Sequence, residues 1–168
     1  GLAPGMHGAN RTGRPFTGDY AGILLYQTLH KYGFATQPES IDADDDLQLI
    51  GCRITNAVKC LPPENKPTPQ EIKQCNGYLM AELTLFAERG GTALLALGTI
   101  AHQAVLMALQ LRMKNFLFAH GAVHDVPGYA SLRLYDSYHC SRYNTQTKRL
   151  TVPMFEQIFD RIIADIER

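Results

Sequence analysis

Apolar and polar positions recur along this chain with two periods, about 3.6 and about 2, and the blocks predict its elements. AGILLYQTLHKYG (21–33) puts Ile23, Leu24, Tyr26, Gln27, Leu29 and His30 on helical spacing and stops at Gly33, a residue suited to a left-handed helix end. LQLIGCRITNAV (47–58) reads as a buried strand. Thr68, Pro69 and Glu71 occupy the N-cap, first and third positions of a capping box, so a long helix is expected from Pro69 through Leu79, Leu83 and Phe86 to Gly90. TALLALG (92–98) suits an interior parallel strand, and IAHQAVLMALQLRM (100–113) an apolar helix. FLFAHGAVHDVPG (116–128) reads as a strand and a Pro127-Gly128 corner, and SLRLYDSYH (131–139) as an alternating strand. Phe155, Ile158, Phe159, Ile162 and Ile163 supply the stripe of a closing helix from Pro153 to Glu167. Alternating helices and strands predict an α/β fold, a three-layer α/β/α sandwich around a mostly parallel central sheet.

Length and charge narrow the class. The 168 residues fit one domain, 1–168, and 45% hydrophobic content is enough for a core. Sixteen basic and sixteen acidic residues leave no global field to draw in nucleic acid or membrane, so an anionic partner needs a local patch. No apolar run reaches membrane-spanning length and no signal-peptide pattern opens the chain, which reads as a cytoplasmic protein. Five carboxylates between residues 39 and 46 read as a solvated loop. Four cysteines, Cys52, Cys60, Cys75 and Cys140, do not make a secreted disulfide scaffold; free thiols or metal ligands are expected.

Polar chemistry collects in three places, each of which can meet the end of a sheet. The opening loop carries Gly1, Gly5, Gly8, Gly13 and Gly18, whose backbone can approach a ligand closely, and one carboxylate, Asp19. On spacing alone Asp19 reads as the N-cap of the following helix, and Phe16 as a core anchor. Asn56 interrupts an apolar run; a buried amide either ties down a turn or reads the edge of a ligand. Cys60 and Cys75 enclose fourteen residues and are half of a four-thiolate site, with buried free thiols the default reading. His139 precedes a polar, cationic loop containing Ser141, Arg142, Asn144, Lys148 and Arg149, a composition that suits phosphates and also ordinary surface.

Taken in order, GLAPGMHGANRTGRPFTGD (1–19), ITNAVKCLPPENKPTP (54–69) and SYHCSRYNTQTKRLT (137–151) resemble the motifs of the uracil-DNA glycosylase superfamily. The resemblance runs over essentially the whole chain and is strongest to the branch called family 5, or type B, related to the iron-sulfur family 4. It implies removal of uracil from DNA, and of other deaminated bases such as hypoxanthine, by a monomer that flips the nucleotide out of the duplex. It also implies association with the nucleoid. Phe16 matches the aromatic that stacks on the flipped base, a contact worth about 1–3 kcal/mol. Asn56 matches the amide on the base's polar edge, and His139 the histidine near uracil O2. Asp19 matches the acidic residue that stabilises the sugar cation and orients water, with Asn10 and His7 as rival water contacts. Gly5, Met6 and His7 border the base and sugar, while Ser141, Arg142 and Asn144 match the DNA-facing loop.

The resemblance also implies a 4Fe-4S cluster held by four cysteines, of which Cys60 and Cys75 match the second pair. The first pair and a central strand belong before GLAPG in the family, so the chain is expected to be a shortened member, marginally stable and weakly active. Cys140 stands where HPSR carries proline, which is expected to loosen the DNA-facing loop. Two other classes remain at this point: a non-catalytic DNA-binding remnant of the same fold, and a nucleotide- or phosphate-binding enzyme, although the glycine-rich loop lacks a P-loop lysine.

Overall fold

The computed structural model describes residues 1–167. Three strands, β1 (Ala93–Leu97), β2 (Val123–Asp125) and β3 (Arg133–Ser137), form one sheet in the order β1-β3-β2. β1 and β3 run parallel with Leu94 opposite Leu134 and Leu97 opposite Ser137; β2 lies antiparallel on the other side of β3. The sheet is therefore mixed, and among the described residues β1 pairs only with β3 rather than lying inside the sheet.

Helices cover both faces because strand side chains alternate. α2 (Tyr20–Lys31) and α6 (Val152–Ile166) bury Leu25, Leu29, Phe155 and Phe159 against Leu95 and Leu97. α3 (Pro69–Glu88) and α4 (Thr99–Ala108) bury Leu79, Leu83, Ala101 and Leu106 on the side of Leu94, Ala96 and Leu134. The capping box predicted at α3 forms in full: Thr68 accepts from the Glu71 backbone N–H at 3.2 Å, and the Glu71 carboxylate accepts from the Thr68 N–H at 2.6 Å.

Two expectations give way. The strand predicted over 47–58 does not form; its backbone makes one isolated bridge, Ala35 to Leu49, and then turns to other partners. Its apolar residues mark packing of an extended segment, not a ladder. The opening loop is less irregular than its glycines suggest, since Ala9–Thr12 form a short helix, α1, closed by Gly13 at φ 74°. The segment after α4 likewise contributes only the three residues of β2 to the sheet.

Candidate active site

The opening loop is held as a rigid rim. Tyr26 of α2 donates its hydroxyl to the Pro15 carbonyl at 2.8 Å, and Gly18 N–H donates to Ser40 O at 2.9 Å. Two arginines clasp the acidic segment, Arg11 to Asp42 at 2.8 Å and Arg14 to Asp45 at 2.7 Å. Burial pushes the Asp45 carboxyl up, but Arg14 and the N–H groups of Ile41, Leu47 and Asp42 outweigh it and hold the pKa at about 2. Two of the five carboxylates thus brace the rim, while Glu39, Asp44 and Asp46 stay exposed as the solvated loop expected.

Phe16 sits in this rim with a left-handed backbone, φ 58°, rare and strained for a bulky side chain. The turn closes over α2 at Gly22, where a Cβ would lie 1.8 Å from the Phe16 carbonyl oxygen. Only glycine permits that approach, so the helix and the strained turn specify one another.

Three distant segments meet around Phe16. Gly1 and Leu2 pair with the 55–58 segment: the Gly1 amine donates to Thr55 O at 2.8 Å, Ala57 N–H to Gly1 O and Val58 N–H to Leu2 O, both at 2.9 Å. A Cβ on Gly1 would lie 2.6 Å from both Asn56 Oδ1 and Phe16 Cζ, so the amide and the ring flank the same point. Asn56 is buried, and its Oδ1 has no hydrogen-bond partner. His139 comes from beyond the end of β3, with its ring centroid 5.9 Å from that of Phe16 and the planes tilted by 33°. Burial lowers its pKa to about 4, so near neutrality the imidazole is uncharged.

Phe16 and Asn56 line the mouth of an apolar cavity of about 420 Å³ that continues along the free side of β1 past Leu95 and Ala93 to Ile166. Hydrophobic walls with one unpaired amide oxygen suit a flat ligand with a polar edge.

Asp19 stands at the N-cap position of α2, yet its side chain makes no capping bond. It turns instead toward the rim, where a Cβ on Gly8 would lie 2.0 Å from Asp19 Oδ2 and one on Gly5 2.9 Å. The glycines make room for the carboxylate. Desolvation raises its pKa, and nearby His7 partly offsets this. Met6, His7 and Asn10 are exposed on the same rim, Met6 by 55%.

Past His139 the chain turns into α5 (Arg142–Gln146). Ser141 caps it, accepting from Asn144 N–H at 3.3 Å, while Asn144 Nδ2 donates back to His139 O at 2.8 Å. Asn144 thus braces the histidine's backbone. Arg142 is exposed and lies 5.5 Å from the Tyr20 ring centroid; Tyr143, Lys148 and Arg149 are exposed beside it. Cys140, expected in the DNA-facing loop, is instead fully buried among the residues packed on Phe155, its thiol pushed up to about 12 by burial.

The cysteines do not assemble a cluster site. Cys60 is exposed in the turn before α3, Cys75 is half-buried on α3, and both are free thiols. Cys52 donates to Phe34 O at 3.5 Å and Cys140 is in the core, so neither completes a four-thiolate set. Among the described residues no metal-competent group of three contains a cysteine. The donor set present does not fit a 4Fe-4S cluster, and no chemistry here passes through one.

The group that does converge escaped the sequence reading: Asp136 of β3 with His102 of α4 and His124 of β2. Its signal was a carboxylate inside the apolar run LRLYDS, since a buried charge needs partners.

Comparison with known proteins identifies the family. The sequence model of the uracil DNA glycosylase superfamily matches residues 1–165. A type-5 uracil-DNA glycosylase of Thermus thermophilus is 49% identical over 158 residues, covering 94% of this chain and 70% of the relative. Proteins of the same description from Mycobacterium leprae and Pyrobaculum aerophilum are 46% and 41% identical, over 95% and 98% of this chain and 69% and 70% of their own. No helix among the described residues is long and apolar enough to cross a membrane. With a family model matched over residues 1–165 and a relative 49% identical over 94% of this chain's length, the chain belongs to the uracil DNA glycosylase superfamily.

Proposed function

We propose that this protein excises uracil, and other bases bearing the same deaminated edge, from DNA by hydrolysing the N-glycosidic bond. The observation that carries the reading is the unpartnered, buried Asn56 Oδ1 beside the Phe16 ring. Leaving such an oxygen unsatisfied costs about 1–3 kcal/mol in the free protein, a cost that a ligand N–H removes. Deamination converts the bare ring nitrogen of cytosine or adenine into an N–H next to a carbonyl. Asn56 Oδ1 accepts from that N–H, whereas the ring nitrogen of the undeaminated base offers only a lone pair at that position.

The rest of the site follows from the charge that develops. As the glycosidic bond breaks, its electron pair moves onto the base and the sugar becomes cationic. A neutral His139 N–H donates to the base oxygen where the negative charge gathers, a preorganised donor in a desolvated site. Asp19 faces the sugar side, stabilises the cation and orients the water that adds to C1′; as the new hydroxyl forms, the carboxylate takes the water's proton, and the departing base anion gains one from solvent. Phe16 stacks on the extruded base, and its rigid turn keeps the ring in place. Products are free base and an abasic sugar. Met6, His7 and Asn10 edge the sugar, while Ser141 and the exposed Arg142, Lys148 and Arg149 meet phosphates. In this reading the protein works as a monomer on chromosomal DNA in the cytoplasm.

The test is base release under single-turnover conditions from duplexes containing uracil, hypoxanthine, xanthine or undamaged cytosine. Release of the deaminated bases, slowed about 10- to 100-fold in Asn56→Ala, supports the reading. Tight binding of the uracil duplex without release of any base rejects catalysis.

A further inference from the structure

Asp136 lies on the face of β3 opposite Ser137 and Tyr135, three residues before His139, and is fully buried. Its Oδ1 is 2.8 Å from His102 Nδ1, and its Oδ2 is 3.2 Å from His124 Nε2. His102 is itself 2% exposed, and its second ring nitrogen, Nε2, lies 2.9 Å from the Phe116 carbonyl oxygen. A carbonyl only accepts, so Nε2 carries a proton. Nδ1 then faces a carboxylate oxygen, and two lone pairs do not rest at that distance without a proton between them. The pair therefore holds one proton more than a neutral imidazole and an ionised carboxylate, which makes it neutral overall. His124 donates its Nε2–H to the other oxygen, and Phe116 and Phe118 wall the two imidazoles with edge contacts at 5.8 and 5.6 Å.

The titratable groups facing Asp136 are His102 from α4 and His124 from β2, and burial raises its carboxyl against their pull. Lys114 lines the shallow cavity outside His102. The cluster ties α4 and β2 to the strand that delivers His139. Asp136 N–H donates to Ala122 O at 3.0 Å, Gly98 N–H to Ser137 O at 2.8 Å, and Tyr138 N–H to His120 Nδ1 at 3.1 Å. His102 N–H reaches back to Gly98 O at 3.1 Å, and a Cβ on Gly98 would lie 3.4 Å from His139 Cβ. One turn of α4 thus touches His139 on one side and holds Asp136 on the other.

We infer that Asp136 and His102, supported by His124, are positioning residues for His139: the proton held between them fixes the end of β3, and with it the donor that meets the base. This inference rests on the proposed excision reaction for its kinetic consequence and not for its spectroscopic one. A misplacement of about 1 Å at a reacting group costs on the order of 100-fold in rate. Asp136→Asn keeps the shape and removes the acceptor charge, while His102→Gln keeps a donor toward Phe116.

The experiment measures single-turnover uracil excision and duplex binding for wild type, Asp136→Asn and His102→Gln, together with histidine ring ¹H–¹⁵N spectra. In the wild type a slowly exchanging, downfield His102 Nδ1 proton is expected. In Asp136→Asn that signal disappears, the His139 ring signals move, and excision falls about 100-fold while the dissociation constant changes less than about threefold. Folded variants with wild-type excision and unmoved His139 signals overturn the inference, as does an equal loss of binding and rate. So does a stoichiometric metal ion whose chelation reproduces the variant's defect. Should the wild type release no base, the excision reading fails, and the His102 proton and the His139 shift still decide this one.

Discussion

Phe16 and His139 stand ring to ring, 5.9 Å between centroids, although one lies in the first turns of the chain and the other past its last strand. The contact exists because α2 anchors the first through Gly22 and β3 delivers the second. Asn56 joins them from a third segment, its amide oxygen and the Phe16 ring both within 2.6 Å of where a Cβ on Gly1 would lie.

Asn56 separates stability from function. Removing its side chain abolishes an unsatisfied buried oxygen, so Asn56→Ala should unfold at the same or a higher urea concentration than wild type, a gain of up to about 1 kcal/mol. The same variant should excise uracil about 10- to 100-fold more slowly, the worth of a hydrogen bond to a charged group. A variant that is both less stable and fully active would contradict the assignment.

Gly22→Ala drives a Cβ into the Phe16 carbonyl. A loss of at least about 2 kcal/mol is expected, because backbone cannot yield as a flexible side chain does. Phe16→Leu keeps the turn and removes the aromatic face. It should bind the uracil duplex more weakly with little change in the denaturation midpoint, checked by titration and urea unfolding side by side.

Asp19 must be ionised to face a sugar cation, and its pKa is raised by desolvation. The excision rate should therefore fall on the acid side at a pH above the ordinary carboxylate range. Asp19→Asn should flatten that limb, and Gly8→Ala should slow excision by displacing the carboxylate that now occupies the Cβ position. A rate profile with the same acid limb in Asp19→Asn would assign the titration elsewhere.

His139 has a folded-state pKa of about 4, below the unfolded imidazole value of about 6.5. Between those values the unfolded chain binds the extra proton and the folded one does not. Stability is full above about pH 6.5 and declines as pH falls toward 4, by about 3 kcal/mol at most from this group. Unfolding titrations from pH 4 to 8 should show that decline in wild type and a shallower one in His139→Gln. The rate should show no His139 limb near neutrality.

Among the described residues Arg142 makes no ion pair with a carboxylate, and it rests on Tyr20. Arg142→Ala should weaken binding to damaged and undamaged duplex alike and lower the slope of log binding constant against log salt by about one. At saturating protein the excision rate should stay within about twofold of wild type, since a phosphate contact adds little at the reacting centre.

Local chemistry was legible in the sequence where a few neighbouring residues decide the structure. The Thr68-Pro69-Glu71 cap and the Phe155-to-Ile162 stripe of α6 formed as read. The 47–58 segment shows the opposite case: its apolar residues pack, but its backbone bonds are shared between two short neighbours, 34–36 and Gly1-Leu2, and neither makes a continuous ladder. Phe16, Asn56 and His139 were found through motif resemblance, because only the crossovers bring them together. The Asp136 cluster was hidden because His102 meets it only through the packing of α4 on the parallel pair β1 and β3. Cys140 misled for a related reason, as polar neighbours in sequence concealed a position pointing into the core.

The clasp of Arg11 and Arg14 by Asp42 and Asp45 decides how lesions are found. It cancels the rim's own cations in a chain whose formal charge is zero, leaving attraction for duplex to the short stretch after His139. Brief, weakly guided encounters with intact DNA are the expected consequence, with residence time set by whether a base can leave the helix and fit.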